Sequence, residues 1–273
     1  MTNIAVISDI HGNYTAFKAV YDDIKNRPID YIIFLGDLIC DFPLPEDTFD
    51  LIYKMIEEYP CTFVAGNKEE YMFKEHSHWS YCSKNGSLLH TYNHLRKKDL
   101  NFIKSFPQVV TFKPYNCPEM TIMHGHTIRP EQNYETILKY LNTSVLLFGH
   151  THERFVLNKN GILLLNPGGV GTNKNPKNNI AEYAILTFDN NQYVYEMVDV
   201  VFDVEKEKQR IIESNFLKQS RYWGAASYKS LDTGKIESYD LIHLATKLAN
   251  GNKIEECHFE KAAMILDLSL IHI

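Results

Sequence analysis

The sequence predicts an α/β fold: a largely parallel sheet, a second sheet stacked on it and a helical appendage at the C-terminal end. Three observations carry that prediction. Short unbroken apolar runs alternate with amphipathic segments early in the chain, the pattern of strands covered on both faces and joined by crossover helices. Further along, short strands with turn residues between them take over, and beyond residue 204 only helical periodicity remains. At 273 residues, 44% hydrophobic and 23% charged, the chain has the material for a full core.

Residues 4–7 form the first strand, and Ser8, Asp9, Ile10, His11, Gly12 and Asn13 end it. In an extended chain Asp9 and His11, two residues apart, leave the same face, so a carboxylate stands beside an imidazole as half of a metal site. Gly12 permits a sharp turn, and Asn13 is placed to cap the helix outlined by Phe17, Val20, Tyr21 and Ile24. Residues 31–35 form a second buried strand ending in Gly36 and Asp37. Residues 43–58 are the crossover helix, and residues 61–65 a third strand ending in Gly66, Asn67, Lys68 and Glu69. Successive units of this kind imply right-handed connections and bring the carboxyl ends of the strands to one edge.

Residues 71–107 read as a largely helical insertion beside that edge. His90 and His94 lie four apart there without a carboxylate, and are assigned to packing or surface. Residues 109–112 and 120–123 are strands, the second ending in His124, Gly125 and His126. A helix over 131–141 leads to a buried strand over 145–148, which ends in Gly149, His150, Thr151 and His152. Residues 154–157 and 162–165 form a hairpin, and the glycine-rich stretch 166–171 is either a tight turn or a backbone passing close to metal or phosphate. A hairpin of 183–188 with 193–200, turning at Asp189, Asn190 and Asn191, joins these later strands in the second sheet. Helices then cover 205–220, 239–249 and 256–270. On this reading residues 1–203 are one domain, and 204–273 a helical extension packed on it.

Composition narrows the function classes. A net charge of −6 argues against an extended nucleic-acid-binding face, and no apolar run is long enough to span a bilayer. Met1 leads straight into a core strand, so a cytoplasmic location is expected, and the five scattered cysteines read as reduced thiols. Twelve histidines are a surplus that points to metal. Collected, the strand ends offer Asp9, His11, Asp37, Asn67, His124, His150 and His152. That set exceeds the three or four ligands of a single zinc, so two metals sharing a carboxylate are expected, with Asp37 the best bridge. Imidazole, carboxylate and amide donors together suit Mn, Fe, Zn, Co or Ni better than Mg or Ca, with Mn or Fe first.

In order, Asp9-Ile10-His11, Gly36-Asp37, Gly66-Asn67-Lys68-Glu69, His124 and Gly149-His150-Thr151-His152 follow the pattern D-x-H, GD, GN[HC][DE], H, GH-x-H at every position but Lys68. The chain resembles the calcineurin-like metallophosphoesterases, in their bacterial, phosphodiesterase-type branch, over residues 4 to about 170. The resemblance implies a four-layer α/β/β/α sandwich and phosphoester hydrolysis by in-line attack of a metal-bridging hydroxide. It also implies Asp9, His11 and His152 on one metal, Asn67, His124 and His150 on the other, and Asp37 between them. The substrate is then a small phosphoester or nucleotide, with Asn13 and Asn67 beside it.

Many members of the family carry a histidine after the Asn as general acid, where this chain has Lys68. A lysine is a poor proton donor near neutrality; it can neutralise developing charge or point into solvent. His126, two residues beyond a proposed ligand, is the other candidate donor. Diesters with good leaving groups are therefore expected ahead of monoesters, phosphoproteins or dinucleoside polyphosphates. A metal-stabilised scaffold that binds nucleotide or protein without turnover is the non-enzymatic alternative. The C-terminal helices are expected to border the site or to form a homo-oligomer contact.

Overall fold

A computed structural model of the chain describes residues 1–175, 177–189 and 192–268. In chain order the first elements are β1 (Thr2–Ile7), α1 (Tyr14–Lys25), β2 (Tyr31–Phe34), α2 (Pro45–Glu58), β3 (Cys61–Phe63) and α3 (Asn67–Tyr71). Then come α4 (Gly86–His94), α5 (Lys97–Lys104), β4 (Val109–Phe112), β5 (Met120–Met123), α6 (Pro130–Tyr140) and β6 (Val145–Leu147). The chain continues through β7 (Phe155–Lys159), β8 (Ile162–Asn166), β9 (Ile180–Asp189) and β10 (Gln192–Val201). It closes with α7 (Val204–Glu213), α8 (Phe216–Thr233), α9 (Glu237–Ala249) and α10 (Glu256–Ile265).

The strands make two five-stranded sheets, ordered β10-β9-β1-β2-β3 and β4-β5-β6-β8-β7. The period-2 alternation of a strand buried on both faces sorts β1 cleanly. Ile4 and Val6 face the second sheet, meeting Ile122, Val145, Leu147 and Leu163, while Ala5 and Ile7 face Phe17, Val20, Phe49 and Ile52 on α1 and α2. On the far side, Leu146, Phe148 and Leu164 pack against Tyr134, Ile137 and Leu138 of α6. The layers are therefore helix, sheet, sheet, helix, the α/β/β/α sandwich.

Four expectations need correction. The hairpin β9–β10 does not join the second sheet: β9 runs antiparallel to β1, with Ala5 opposite Ile185, and so extends the first. Its long apolar run, buried at nearly every position, is that of an interior strand, and β10 is left as the edge. Each sheet accordingly mixes parallel and antiparallel pairs rather than being largely parallel. The insertion is less helical than expected, with only short helices α4 and α5 and no helix over 72–85. The expected helix 205–220 divides at Ser214 and Asn215 into α7 and α8, and α8 itself kinks at Arg221, whose φ is 50°. Residues 190–191 of the expected turn, and 269–270 of the last expected helix, lie outside the described residues.

Of the C-terminal helices α7 and α8 share the main core, while α9 and α10 pack with Ala226 of α8 in a cluster of their own. Ile211, Phe216, Leu217 and Leu231 belong to the same apolar cluster as Ile7 and Phe34. Glu207 on α7 accepts hydrogen bonds from the Thr15 N–H at 3.1 Å and the Thr15 hydroxyl at 2.6 Å, in the first turn of α1. The insertion docks on α8: a Cβ on Gly86 would stand 2.0 Å from the Gln219 carbonyl, and His90 Nδ1 lies 2.5 Å from Gln219 Oε1. His90 is buried against Phe216 and His94 stacks on it, so this pair is packing, as the sequence suggested. No helix among the described residues is long and apolar enough to cross a membrane, and all five cysteines are free.

Candidate metal centre

The seven residues proposed as ligands come together at one end of the two sheets, but not through the strand pleat. Asp9 and His11 both have left-handed backbone, with φ of 55° and 53°, and Asp37, His150 and His152 do too, at 52°, 71° and 58°. Such conformations cost a non-glycine residue roughly 1 kcal/mol or more each and persist only where the surroundings over-determine them. Here they do. The loops after β1 and β2 are zipped together by hydrogen bonds from the Asp9 N–H to the Gly36 carbonyl (3.1 Å), His11 N–H to Asp37 (2.9 Å) and Gly12 N–H to Leu38 (3.0 Å). Glu69, buried in α3, accepts from the backbone N–H groups of Asp37, Leu38 and Gly66 and so ties the second and third loops.

The glycine-rich stretch lies along Asp9 itself: Val170 and Gly171 donate to the carbonyls of Ser8 and Asp9 at 3.0 and 2.9 Å. Two glycines are required by close approach to the carboxylates. A Cβ on Gly66 would fall 2.2 Å from Asp37 Oδ1, and one on Gly149 would fall 1.9 Å from Ser8 Oγ and 2.9 Å from Asp9 Oδ2.

Two donor triplets result, Asp9 with His11 and His152, and Asp37 with His124 and His150; within each, the donor atoms lie within 4.8 Å of one another. Asp37 Oδ2 stands between them, 3.7 Å from His11 Nε2 and 3.4 Å from His124 Nε2. His124 Nδ1 donates to the Leu35 carbonyl at 2.8 Å and His152 Nδ1 to the Thr172 carbonyl at 2.9 Å. A carbonyl only accepts, so Nδ1 carries a proton and Nε2 is the atom turned to the cluster.

The fit to metal rests on what these atoms lack. Asp9 Oδ1, His11 Nε2, Asn67 Oδ1 and His124 Nε2 are buried without a hydrogen-bond partner. Buried polar atoms are almost always satisfied, so donor atoms left bare together and aimed at common points are what a cation would complete. The electrostatics agree. Burial alone would lower the imidazoles of His11 and His124, yet Asp41 and Asp9 raise His11 to about 9, and Asp37 raises His124 to about 10. Burial would raise the Asp9 carboxyl, but His152 and His11 hold it down to about 2. Burial pushes His150 and His152 down to about 4, which keeps their lone pairs available. The residues present fit two divalent cations.

The other proposed site residues divide. Asn13 is fully buried; its Oδ1 accepts from the Ala16 N–H at 3.1 Å and its Nδ2 donates to the Gly171 carbonyl at 3.1 Å. Both ends of the amide are committed, so it is a cap and a strut, and the expectation that it meets substrate is corrected. Lys68 does not point into solvent: its Nζ pairs with Asp41 Oδ2 at 2.8 Å and lies 5.6 Å over the Trp223 ring. His126 pairs with Glu70 at 3.1 Å, half-buried, and lies outside the cavity lining.

That cavity, about 130 Å³, is floored by His11, Asp37, Asn67, Lys68, His150 and His152 and walled by Trp223, Ser227, Ser230 and Tyr239 of α8 and α9. Through His150 and Tyr239 it adjoins a cleft of about 550 Å³ carrying Arg129, Arg154 and Lys174. Asp41 and the wall were not foreseen as site residues. Asp41 had one signal, a lone charge inside the apolar run Leu38, Ile39, Cys40, Phe42; Trp223 had none.

The model of the calcineurin-like phosphoesterase superfamily domain matches residues 2–191, most of the chain and every candidate ligand. The chain belongs to the calcineurin-like phosphoesterase superfamily. As such a phosphoesterase it belongs among hydrolases of phosphoester bonds, and the family implies divalent metal ions at the clusters described. It is 30% identical over 238 residues to an uncharacterized protein of Methanocaldococcus jannaschii, a match covering 77% of this chain and 92% of that one. Its fold is similar to a hypothetical protein of Pyrococcus horikoshii (TM-score 0.71, 16% identity, covering 86% of this chain and 99% of that one). It is likewise similar to a metallophosphoesterase of Sphaerobacter thermophilus (TM-score 0.67, 21% identity, 85% and 100%).

Proposed function

We propose that this phosphoesterase is a dinuclear enzyme acting on small phosphodiesters whose leaving groups depart without a strong proton donor. The observation that carries the reading is the pair of donor triplets, with unpartnered buried atoms, around Asp37 at the floor of a cavity. Asp9, His11 and His152 would hold one cation, Asn67, His124 and His150 the other, and Asp37 would serve both, with Mn or Fe the first choice. Bound there, the two ions supply Lewis-acid activation of water and of the phosphoryl oxygens.

The preference for diesters rests on Lys68. Burial would lower its ammonium, but Asp41 and Asp37 hold it well above the usual lysine range. It therefore stays charged, and offers the phosphoryl or leaving oxygen a positive charge rather than a proton. The aromatic wall of Trp223 and Tyr239 supports a small substrate, with room for the remainder of the molecule in the cleft past His150. Helices α8 and α9 then act as one wall of the catalytic domain.

The test is metal-stripped full-length protein reloaded with Mn, Fe(II), Zn, Ni or Co and assayed on bis-p-nitrophenyl phosphate, 2′,3′-cyclic nucleotides, p-nitrophenyl phosphate and an alkyl monophosphate. Diester turnover above monoester turnover is expected. The reverse order would remove the diester preference, and no turnover with any pairing would leave the binding scaffold.

A further inference from the structure

Asp41 stands behind the metal centre rather than in it. It is 8% exposed, has left-handed backbone (φ 75°), and its N–H donates to Ser87 Oγ of the insertion at 3.0 Å. Its Oδ2 lies 2.9 Å from His11 Nδ1, an ion-pair contact whose angle falls short of a hydrogen bond, and 2.8 Å from Lys68 Nζ. Its Oδ1 accepts the indole N–H of Trp223 at 2.8 Å, from α8. Neither donor triplet includes it. One carboxylate thus gathers a candidate ligand, the cation of the cavity floor and a residue 182 positions further along the chain.

We propose that Asp41 and Trp223 are positioning residues for the His11 side of the centre: Trp223 aims Asp41, and Asp41 fixes His11 and pins the Lys68 ammonium against the cavity. The argument is one of geometry. A ligating imidazole is commonly held through its other nitrogen by a carboxylate, which fixes the tautomer and the ring plane. Both His11 and Lys68 crowd one oxygen of Asp41, so the other oxygen needs a donor of its own in a buried place, and the rigid indole N–H supplies it. Without that bond the carboxylate is free to turn, and Oδ2 leaves His11 for Lys68. The C-terminal extension is then part of the supporting shell of the metal site, not an appendage to it.

This inference rests on the dinuclear reading, and the experiment separates the two. Metal-stripped full-length protein is titrated with Mn²⁺ by calorimetry, with indole emission followed in a Trp79→Phe background, where Trp223 is the remaining tryptophan of the chain's 2. Wild type is expected to show two binding events and a change in Trp223 emission with one of them. Asp41→Asn, which keeps shape and removes charge, should weaken that one event by about 10- to 100-fold and spare the other. Trp223→Phe, which keeps the ring over Lys68, should weaken the same event by about 3- to 10-fold. Two wild-type events in both variants would overturn the proposal, as would equal weakening of both events. If Trp223→Phe does not fold, Asp41→Asn decides alone. A wild type with fewer than two events overturns the dinuclear reading, and the positioning role with it.

Discussion

On one side of the cavity Asp9, His11, Asp37, His124, His150 and His152 stand on short loops at strand ends, with Asn67 opening α3; on the other, Trp223, Ser227, Ser230 and Tyr239 stand on helices. The first side is fixed by backbone. Its strained ligands are held by main-chain hydrogen bonds between neighbouring loops and by Glu69, so each sits where its strand leaves it. The second side is fixed by side-chain packing across long sequence distances, through Phe216 in the shared core, Gly86 against α8 and the Trp223–Asp41 bond. Ligand geometry tolerates little error, and the candidate ligands are built on the more tightly tied scaffold.

The largest effect should fall on the first side. Asp37→Asn removes the carboxylate between the triplets and is expected to lower kcat by more than about 100-fold and to lose metal, read by turnover and metal analysis. Wild-type activity in that variant would move the bridge elsewhere.

Next comes the cooperativity of the two sides. Phe216 is fully buried in the core shared with β1, so Phe216→Ala is expected to cost about 3–5 kcal/mol in urea unfolding, in a single transition by both fluorescence and circular dichroism. A separate early transition of the helices would show that the wall is its own unit.

The seam between insertion and extension is expected to weaken in acid. Burial lowers His90 to about 4, below its ordinary 6.5. The neutral ring is favoured in the fold, so its contribution is present above about pH 6.5 and is lost as pH falls toward 4, because the unfolded chain binds the extra proton. Replacing it in His90→Gln should reduce the stability lost across that window by up to about 2–3 kcal/mol. An unchanged slope would place the acid sensitivity elsewhere.

The smallest effect concerns the cation. Lys68→His is expected to raise turnover of alkyl esters relative to p-nitrophenyl esters by about tenfold, because an imidazole can give the leaving oxygen a proton. An unchanged ratio would remove Lys68 from leaving-group chemistry.

The same division separates what the sequence made legible from what it did not. Asp9, His11 and the other strand-end residues were readable because strand, turn and ligand are contiguous, and glycines mark each turn. The reason given for their convergence was nonetheless wrong: left-handed backbone, not strand alternation, turns Asp9 and His11 together. The place of β9 was missed because its pairing with β1 joins residues about 180 apart, and hairpin pattern alone does not name the third strand. Asn13 was read correctly as a cap and wrongly as a substrate contact, since only the fold shows Gly171 on its other end. Asp41 and Trp223 were out of reach because their meaning is their meeting.

The most direct measurement of the proposed two-cation centre is anomalous diffraction from crystals of the full chain grown with Mn²⁺. Two peaks are expected, one bounded by Asp9, His11 and His152 and the other by Asn67, His124 and His150, with Asp37 touching both. A single peak, or peaks away from these residues, would contradict the dinuclear reading.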